Sequence, residues 1–158
     1  MGIPGGWKMK VVVQRVQEAS VTVDGELAAS IGRGMLVLVG ISPVDTQKDI
    51  DYLVRKITQL RIFDDQQGIM NLSLLDKGFD ILAVSQFTLL ADTRKGNRPS
   101  YIKAARPEMA LPFFDCFVQT LEKVLGKTVP TGVFGANMKV ALINDGPVTI
   151  LLDSFDGQ

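Results

Sequence analysis

The feature that most restricts the fold is a change of hydrophobic period along the chain. From Lys10 the sequence alternates with a period near two: KVVVQRV, then SVTVD, a turn at Asp24-Gly25, ELAASI, a second turn at Gly32-Arg33-Gly34, and the apolar run MLVLVGI. A period of two puts successive side chains on opposite faces of a sheet, so this third of the chain predicts a strand meander. Between Thr46 and Leu60 the period lengthens. Ile50, Leu53, Val54, Ile57 and Leu60 share one helical face, and Thr46 with Asp49 has the pattern of a capping box.

FDILAVSQFTLL, Phe79 to Leu90, predicts a further strand. Pro107 to Leu125 predicts a second helix, because proline suits the first turn and Phe113, Phe117, Leu121 and Val124 follow helical spacing; Gly126 ends it. NMKVALI and VTILLD predict two closing strands, and the NDGPVT segment between them has the look of a hairpin turn. The order strands, helix, strand, helix, strands lacks the regular alternation of a doubly wound sheet. It predicts one α+β domain over residues 9–158, with a mostly antiparallel, barrel-like sheet and two main helices. The opening MGIPGGWK, residues 1–8, has no apolar signal-peptide core and precedes a second methionine, Met9; it reads as a leader ahead of the domain, which leaves Trp7 without functional weight.

Composition narrows the function. The 158 residues suffice for one sizeable core, and with 46% hydrophobic and 22% charged residues and no apolar stretch near the ~20 residues of a bilayer span, they predict a globule outside the membrane. Cys116 is the single cysteine, so no internal disulfide forms, which fits a reducing cytoplasm; inside the second helix it reads as a core thiol. Net charge is zero, so a nucleic-acid partner has to be gripped locally. The chain has no histidine, which removes Ser-His-Asp and Cys-His nucleophile systems and HExxH zinc sites. GKT at 126–128 follows a helix and lacks the earlier glycine of a phosphate-binding loop, and Gly32-x-Gly34 leads into a strand without a third glycine in register.

Three stretches carry chemistry. RKGNRPSYIKAAR, Arg94 to Arg106, holds five basic residues and no acidic one; it is either a solvated loop or a grip for a single-stranded RNA end, with Arg94, Lys95, Arg98 and Lys103 as cations and Tyr101 as a stacking surface. It follows SQFTL, Ser85 to Leu89, whose hydroxyl and amide groups sit at a strand end. Gly146-Pro147 either caps a strand or acts as a rigid tool.

Together, SQFTL and NDGPVT closely resemble the signatures of the D-aminoacyl-tRNA deacylase family, with GNRPS between them, and the likeness in layout runs from Met9 to about Asp153. The resemblance implies a homodimer acting on the acceptor end of aminoacyl-tRNA, cleaving the ester of a D-amino acid or glycine; no cofactor and no metal-ligating residue is assigned from the sequence, which leaves metal dependence open. It implies that Gly146-Pro147 enters the partner's site with a cis bond and excludes L-aminoacyl esters, steadied by Arg15, while Met138 lines the pocket. Ser85, Gln86, Phe87 and Thr88 are then the catalytic segment, positioning the ester and stabilising the oxyanion while the 2′-hydroxyl of the terminal ribose assists; Thr88 as an acyl-accepting nucleophile is the other possibility. Two further readings stand beside this one: a non-catalytic dimeric nucleic-acid-binding protein, and a small-ester hydrolase using Thr88.

Overall fold

In the computed structural model the described residues are 7–157. Most of the expected leader, residues 1–6, lies outside them. The architecture is α+β with a curled, half-barrel sheet, as the hydrophobic periods predict.

Strand β1, Lys10–Val23, is the axis of the sheet. The sequence divides it into two strands, but it is one element of 14 residues. Along one edge it pairs antiparallel first with β3, Gly34–Gly40, from Lys10↔Gly40 to Val16↔Gly34, and then with β2, Glu26–Ile31, from Ala19↔Ile31 to Val23↔Glu26. The turn at Asp24 and Gly25 has φ of 51° and 79°, the left-handed pair that a tight two-residue hairpin requires. Strand β6, Asp80–Ser85, runs parallel to β3, and on its other side Ala83 makes an isolated parallel bridge with Thr131. Gly34, φ 156°, permits the approach: a Cβ there would lie 1.8 Å from the Asp80 carbonyl oxygen.

The sheet buries apolar side chains on both faces. Val11, Val13, Val37 and Val39 meet Ile50, Leu53 and Ile57 of helix α1, Gln47–Gln59, and Phe114, Phe117 and Leu121 of helix α3, Pro107–Leu125. Val16, Ala19 and Val21 form a second cluster with Leu36, Leu82 and Val84, against which Met138 and Leu142 pack. Cys116 is half-buried beside the main core, its thiol donating to Gln47 Oε1 at 3.1 Å. No helix among the described residues is long and apolar enough to cross a membrane.

Three local expectations are corrected. The strand predicted over Phe79 to Leu90 stops at Ser85, and Phe87–Leu90 forms a 3-10 turn. A small hairpin, β4 Phe63–Asp64 with β5 Met70–Leu72, and a one-turn helix, α2 Leu74–Lys77, were not predicted; elements this short show no period. The third correction matters most. NDGPVT is not a hairpin turn: the runs on both sides of it belong to one strand, β7 Met138–Asp153, and both pair antiparallel with β1, at Gln14↔Thr149 and Val16↔Asn144. Opposite the single residue Arg15, four residues, Asp145 to Val148, are pushed out of the ladder as a wide bulge.

The start of β1 is tied to the loop before α1. Asp45, buried, accepts the Met9 and Ser42 amides at 2.9 and 2.7 Å. The N-cap of α1 closes as the sequence predicts, the Thr46 amide donating to Asp49 Oδ2 at 2.7 Å, while Lys8 Nζ reaches Asp49 Oδ1 at 2.9 Å. Burial pushes the Asp45 carboxyl up to about 6, with the Asp49 charge adding to the rise and the Ser42 and Met9 amides and Lys8 opposing it. The folded state therefore holds that proton more tightly than the unfolded chain does. The Asp45 contribution to stability is largest near pH 4 and is lost as pH rises through about 6. Chemical denaturation of the wild type and of Asp45→Asn between pH 4 and 7 checks this: the variant's stability is expected to depend less on pH in that window, and parallel profiles would contradict it.

Candidate functional site

Beyond the end of β6 lies a cleft of about 720 Å³, within the size range of small-molecule sites. One wall is Ser85, Gln86, Phe87 and Thr88. The Gln86 amide still donates to the Val39 carbonyl at 2.7 Å, so the β3 partnership runs one residue past the strand before the chain turns. Fully buried Leu90 anchors the turn. Gly40 leaves room for it, since a Cβ there would lie 2.9 Å from Leu89 Cβ and 3.3 Å from the Gln86 carbonyl oxygen. Thr88 is exposed, and its hydroxyl accepts from Gln86 Nε2 at 3.0 Å. The Phe87 and Thr88 amides open the 3-10 turn, where N–H groups have no carbonyl of the same element behind them.

The opposite walls come from Tyr101, from Arg106 and Pro107 at the start of α3, and from the segment running into β7, including Phe134 and Met138. The Phe87 and Tyr101 rings meet edge to face, centroids 5.0 Å apart. No carboxylate, imidazole or amine lines the cleft, and Arg106 is its only charged side chain among the described residues. A hydroxyl here thus has no side-chain base beside it, while amide and hydroxyl donors are abundant. Among the described residues no cluster of three or more His, Cys, Asp or Glu is placed to hold a metal.

The structure brings Ser85, Gln86, Phe87, Thr88 and Met138 together on the cleft. Gly146 and Pro147 do not line the cleft of their own chain; they sit on the β7 bulge, joined by a cis peptide bond. Gly146 has φ 153°, and a Cβ on it would lie 2.6 Å from the Val148 nitrogen. Arg15, 9% exposed, lies beside the bulge: its Nε donates to the Asp145 carbonyl at 2.7 Å and its Nη1 to the Ile62 carbonyl at 2.7 Å, with Asp64 Oδ1 3.4 Å away. On the other side of the bulge the Asn144 amide bonds both backbone groups of Val148.

The basic segment is less uniform than its sequence. Arg94 is taken by Asp92, Nη2 to Oδ2 at 2.7 Å and Nε to Oδ1 at 3.0 Å. The Arg94 side chain, then its amide, holds the Asp92 carboxyl down to about 2. Lys103 Nζ lies 4.7 Å from the Trp7 ring centroid. Lys95 and Arg98 are exposed, and none of the four predicted cations lines the cleft. Arg106, the last residue of the same segment, does; charge counting could not single it out, since only the start of α3 aims it there. Asn144 was visible only as the first letter of a motif.

A sequence model of the D-Tyr-tRNA(Tyr) deacylase family matches residues 12–153. The D-aminoacyl-tRNA deacylase of Chromobacterium violaceum is 63% identical over 146 residues, and that of Bacteroides thetaiotaomicron 59% over 146, in each case 92% of this chain and 97% of the relative. Among solved structures, the c-Myc DNA Unwinding Element Binding Protein superposes with a TM-score of 0.87 at 49% identity, covering 91% of this chain and 97% of that one. A probable eukaryotic D-amino acid tRNA deacylase shares the fold, with a TM-score of 0.79 at 18% identity over 92% of this chain and 98% of that one.

Removing the Arg15 guanidinium would leave the Asp145 and Ile62 carbonyls without their charged donor. Arg15→Ala is expected to cost roughly 3 kcal/mol of unfolding free energy, and Arg15→Lys less, because an ammonium keeps the charge without the fork. Urea unfolding measures both; an Arg15→Ala loss below about 0.5 kcal/mol would show that the two bonds carry no weight.

Proposed function

The chain belongs to the D-Tyr-tRNA(Tyr) deacylase family, and we propose that it hydrolyses the ester joining a D-amino acid, or glycine, to the 3′-terminal adenosine of tRNA, as a proofreading enzyme of the cytoplasm. The observation that carries the chemistry is a cleft rich in hydroxyl and amide groups and, among the described residues, without a side-chain base. An aminoacyl ester brings its own assistant. The ribose 2′-hydroxyl beside the ester orients water for attack on the carbonyl carbon; the bond from that carbon to the ribose 3′-oxygen breaks, and the proton lost by water ends on the 3′-oxygen. The products are free amino acid and tRNA. The Phe87 and Thr88 amides stabilise the oxyanion, and Ser85 and Gln86 position the ester. Thr88 as nucleophile is disfavoured, because its hydroxyl is met by Gln86 Nε2, an amide donor that cannot take its proton, and no side-chain base stands beside it among the described residues.

Selection against L-esters falls to Gly146 and Pro147 of a second copy of the chain, whose backbone carbonyls occupy the space an L side chain needs. A D side chain points away and glycine has none, so the filter acts by rejection and tolerates many D residues. Dimerisation is supported by β7, which among the described residues pairs along one edge, with β1, and carries Ile143 and Leu151 at 49% and 76% exposure. Met138 lines the receiving cleft and Arg15 steadies the inserted element. Lys95, Arg98 and Lys103 track the RNA, while the charge of Arg94 is taken by Asp92, and Arg106 takes the phosphate next to the terminal nucleoside.

A second reading, nucleic-acid binding without turnover, is favoured by one observation, the likeness to the DNA Unwinding Element Binding Protein. Release of amino acid from D- and L-tyrosyl-tRNA, each with a normal or a 2′-deoxy terminal adenosine, separates the readings. Turnover of the D-form alone is expected, falling at least about a hundredfold without the 2′-hydroxyl and changing little in Thr88→Ala. Release that ignores the 2′-hydroxyl and vanishes in Thr88→Ala would establish the nucleophile instead, and binding without release would establish the second reading. Arg106→Ala is expected to raise KM for D-tyrosyl-tRNA about tenfold. D-tyrosyl-adenosine, which lacks the phosphate, should be cleaved as before; an equal loss on both substrates would remove the phosphate role.

A further inference from the structure

Pushing four residues out of β7 strips their peptide groups of ladder partners on β1, and at both feet of the bulge side chains take the place of those partners. The Asp145 carbonyl goes to Arg15 Nε at 2.7 Å. At the other foot of the bulge the replacement is a single side chain. The Val148 N–H donates to Asn144 Oδ1 at 2.7 Å, and Asn144 Nδ2 donates to the Val148 carbonyl at 3.1 Å. The same nitrogen reaches Thr149 Oγ1 at 3.3 Å, an oxygen that also accepts from Gln14 Nε2 on β1 at 3.4 Å. The Asn144 amide thus does for Val148 what a facing peptide does in an antiparallel pair, donating and accepting at one residue.

We infer that Asn144 is a specificity-determining positioning residue: its amide pins the far foot of the bulge and so fixes the Gly146 and Pro147 carbonyls that reject L-aminoacyl esters. The inference rests on the proposed chiral filter and adds the residue that makes it stiff. Exclusion by a carbonyl is only as strong as the resistance of that carbonyl to moving aside, because a gate that yields at small cost admits the wrong substrate. With Arg15 at Asp145 and Asn144 at Val148, both residues flanking Gly146-Pro147 are held, and neither end can relax without losing a hydrogen bond. The position requires one planar group offering a donor and an acceptor from a short stem. Aspartate offers acceptors only, serine a single atom, and glutamine a longer arm.

Asn144→Asp keeps the acceptor for the Val148 N–H and turns an oxygen toward the Val148 carbonyl; Thr149→Val removes the oxygen that Nδ2 and Gln14 share. Hydrolysis of D- and L-tyrosyl-tRNA by the full-length protein is measured beside the melting temperature. Loss of folded protein lowers both rates alike, whereas a loosened gate raises the L rate. The expected result is a rise of about tenfold or more in kcat/KM for L-tyrosyl-tRNA in Asn144→Asp and about threefold in Thr149→Val, with the D rate within about threefold of wild type. An L rate unchanged in both variants, in an enzyme whose wild type discriminates, would overturn the role of Asn144. If Asn144→Asp does not fold, Thr149→Val decides alone, by a gain in L rate or its absence. A wild type that cleaves both esters equally would instead defeat the filter reading itself.

Discussion

The structure turns on how β7 satisfies its backbone where it leaves β1. A strand that ejects four residues and then resumes the same pairing must find new partners for the freed peptide groups or expose them to water, at a cost comparable to a lost hydrogen bond for each group left buried and unpaired. Arg15 is placed for this because it faces the bulge from the strand opposite, nearly buried, with its second donor anchored on the Ile62 carbonyl. The anchor makes the small β4–β5 hairpin, otherwise a minor appendage, part of the support for the bulge. Sheet, hairpin and bulge are joined by hydrogen bonds through Arg15, and the residues on both sides of Gly146-Pro147 are held by side chains.

The cleft is built by the opposite device. There β6 and its neighbour β3 end together, at Ser85 and Gly40, and the chain folds into a 3-10 turn over Gly40, so that Ser85 to Thr88 line the cleft. The bulge sits midway along β7, opposite Arg15, and does not line the cleft of its own chain, while the other edge of β7 has no strand partner among the described residues. Under the proposed function, the cleft and the bulge complete one another when two copies meet, with the substrate's own hydroxyl serving where the cleft lacks a side-chain base among the described residues. In that account the absence of histidine and the charge-poor lining are conditions of selectivity: a site with little general hydrolytic power spares esters that do not present their own assistance.

Much of this was legible where the determining physics is local. The bounds of α3 were readable because Pro107 starts the helix and Gly126, φ 72°, ends it in the left-handed conformation; α1 was readable from Thr46, Asp49 and one apolar face. What failed depended on distant partners. Gly146-Pro147 has turn chemistry, yet whether the chain reverses there is decided by β1, more than a hundred residues earlier, which holds both flanks in the same direction. β1 read as two strands because the extra residue at Gln17, between Val16↔Asn144 and Glu18↔Ile143, shifts the alternation in mid-strand. The FTLL stretch is apolar enough for a strand, but nothing in it reveals that its ladder partner ends at Gly40. Charge was misleading for the same reason: Arg94 counts as a free cation until Asp92 is seen to hold it. The SQFTL and GPVT segments were found as motifs, while their separation onto cleft and bulge needed the fold.

The central claim is that the Gly146-Pro147 carbonyls of one copy face the α-carbon of an ester lying in the cleft of another. The most direct measurement is a crystal structure of the protein with a non-hydrolysable D-aminoacyl-adenosine analogue. The account predicts a two-fold dimer in which each ligand lies against Ser85 to Thr88 of one protomer, with the bulge of its partner within van der Waals contact of the α-carbon on the side opposite the D side chain. A ligand bound in a cleft that no second bulge enters, with Gly146-Pro147 facing solvent, would contradict it.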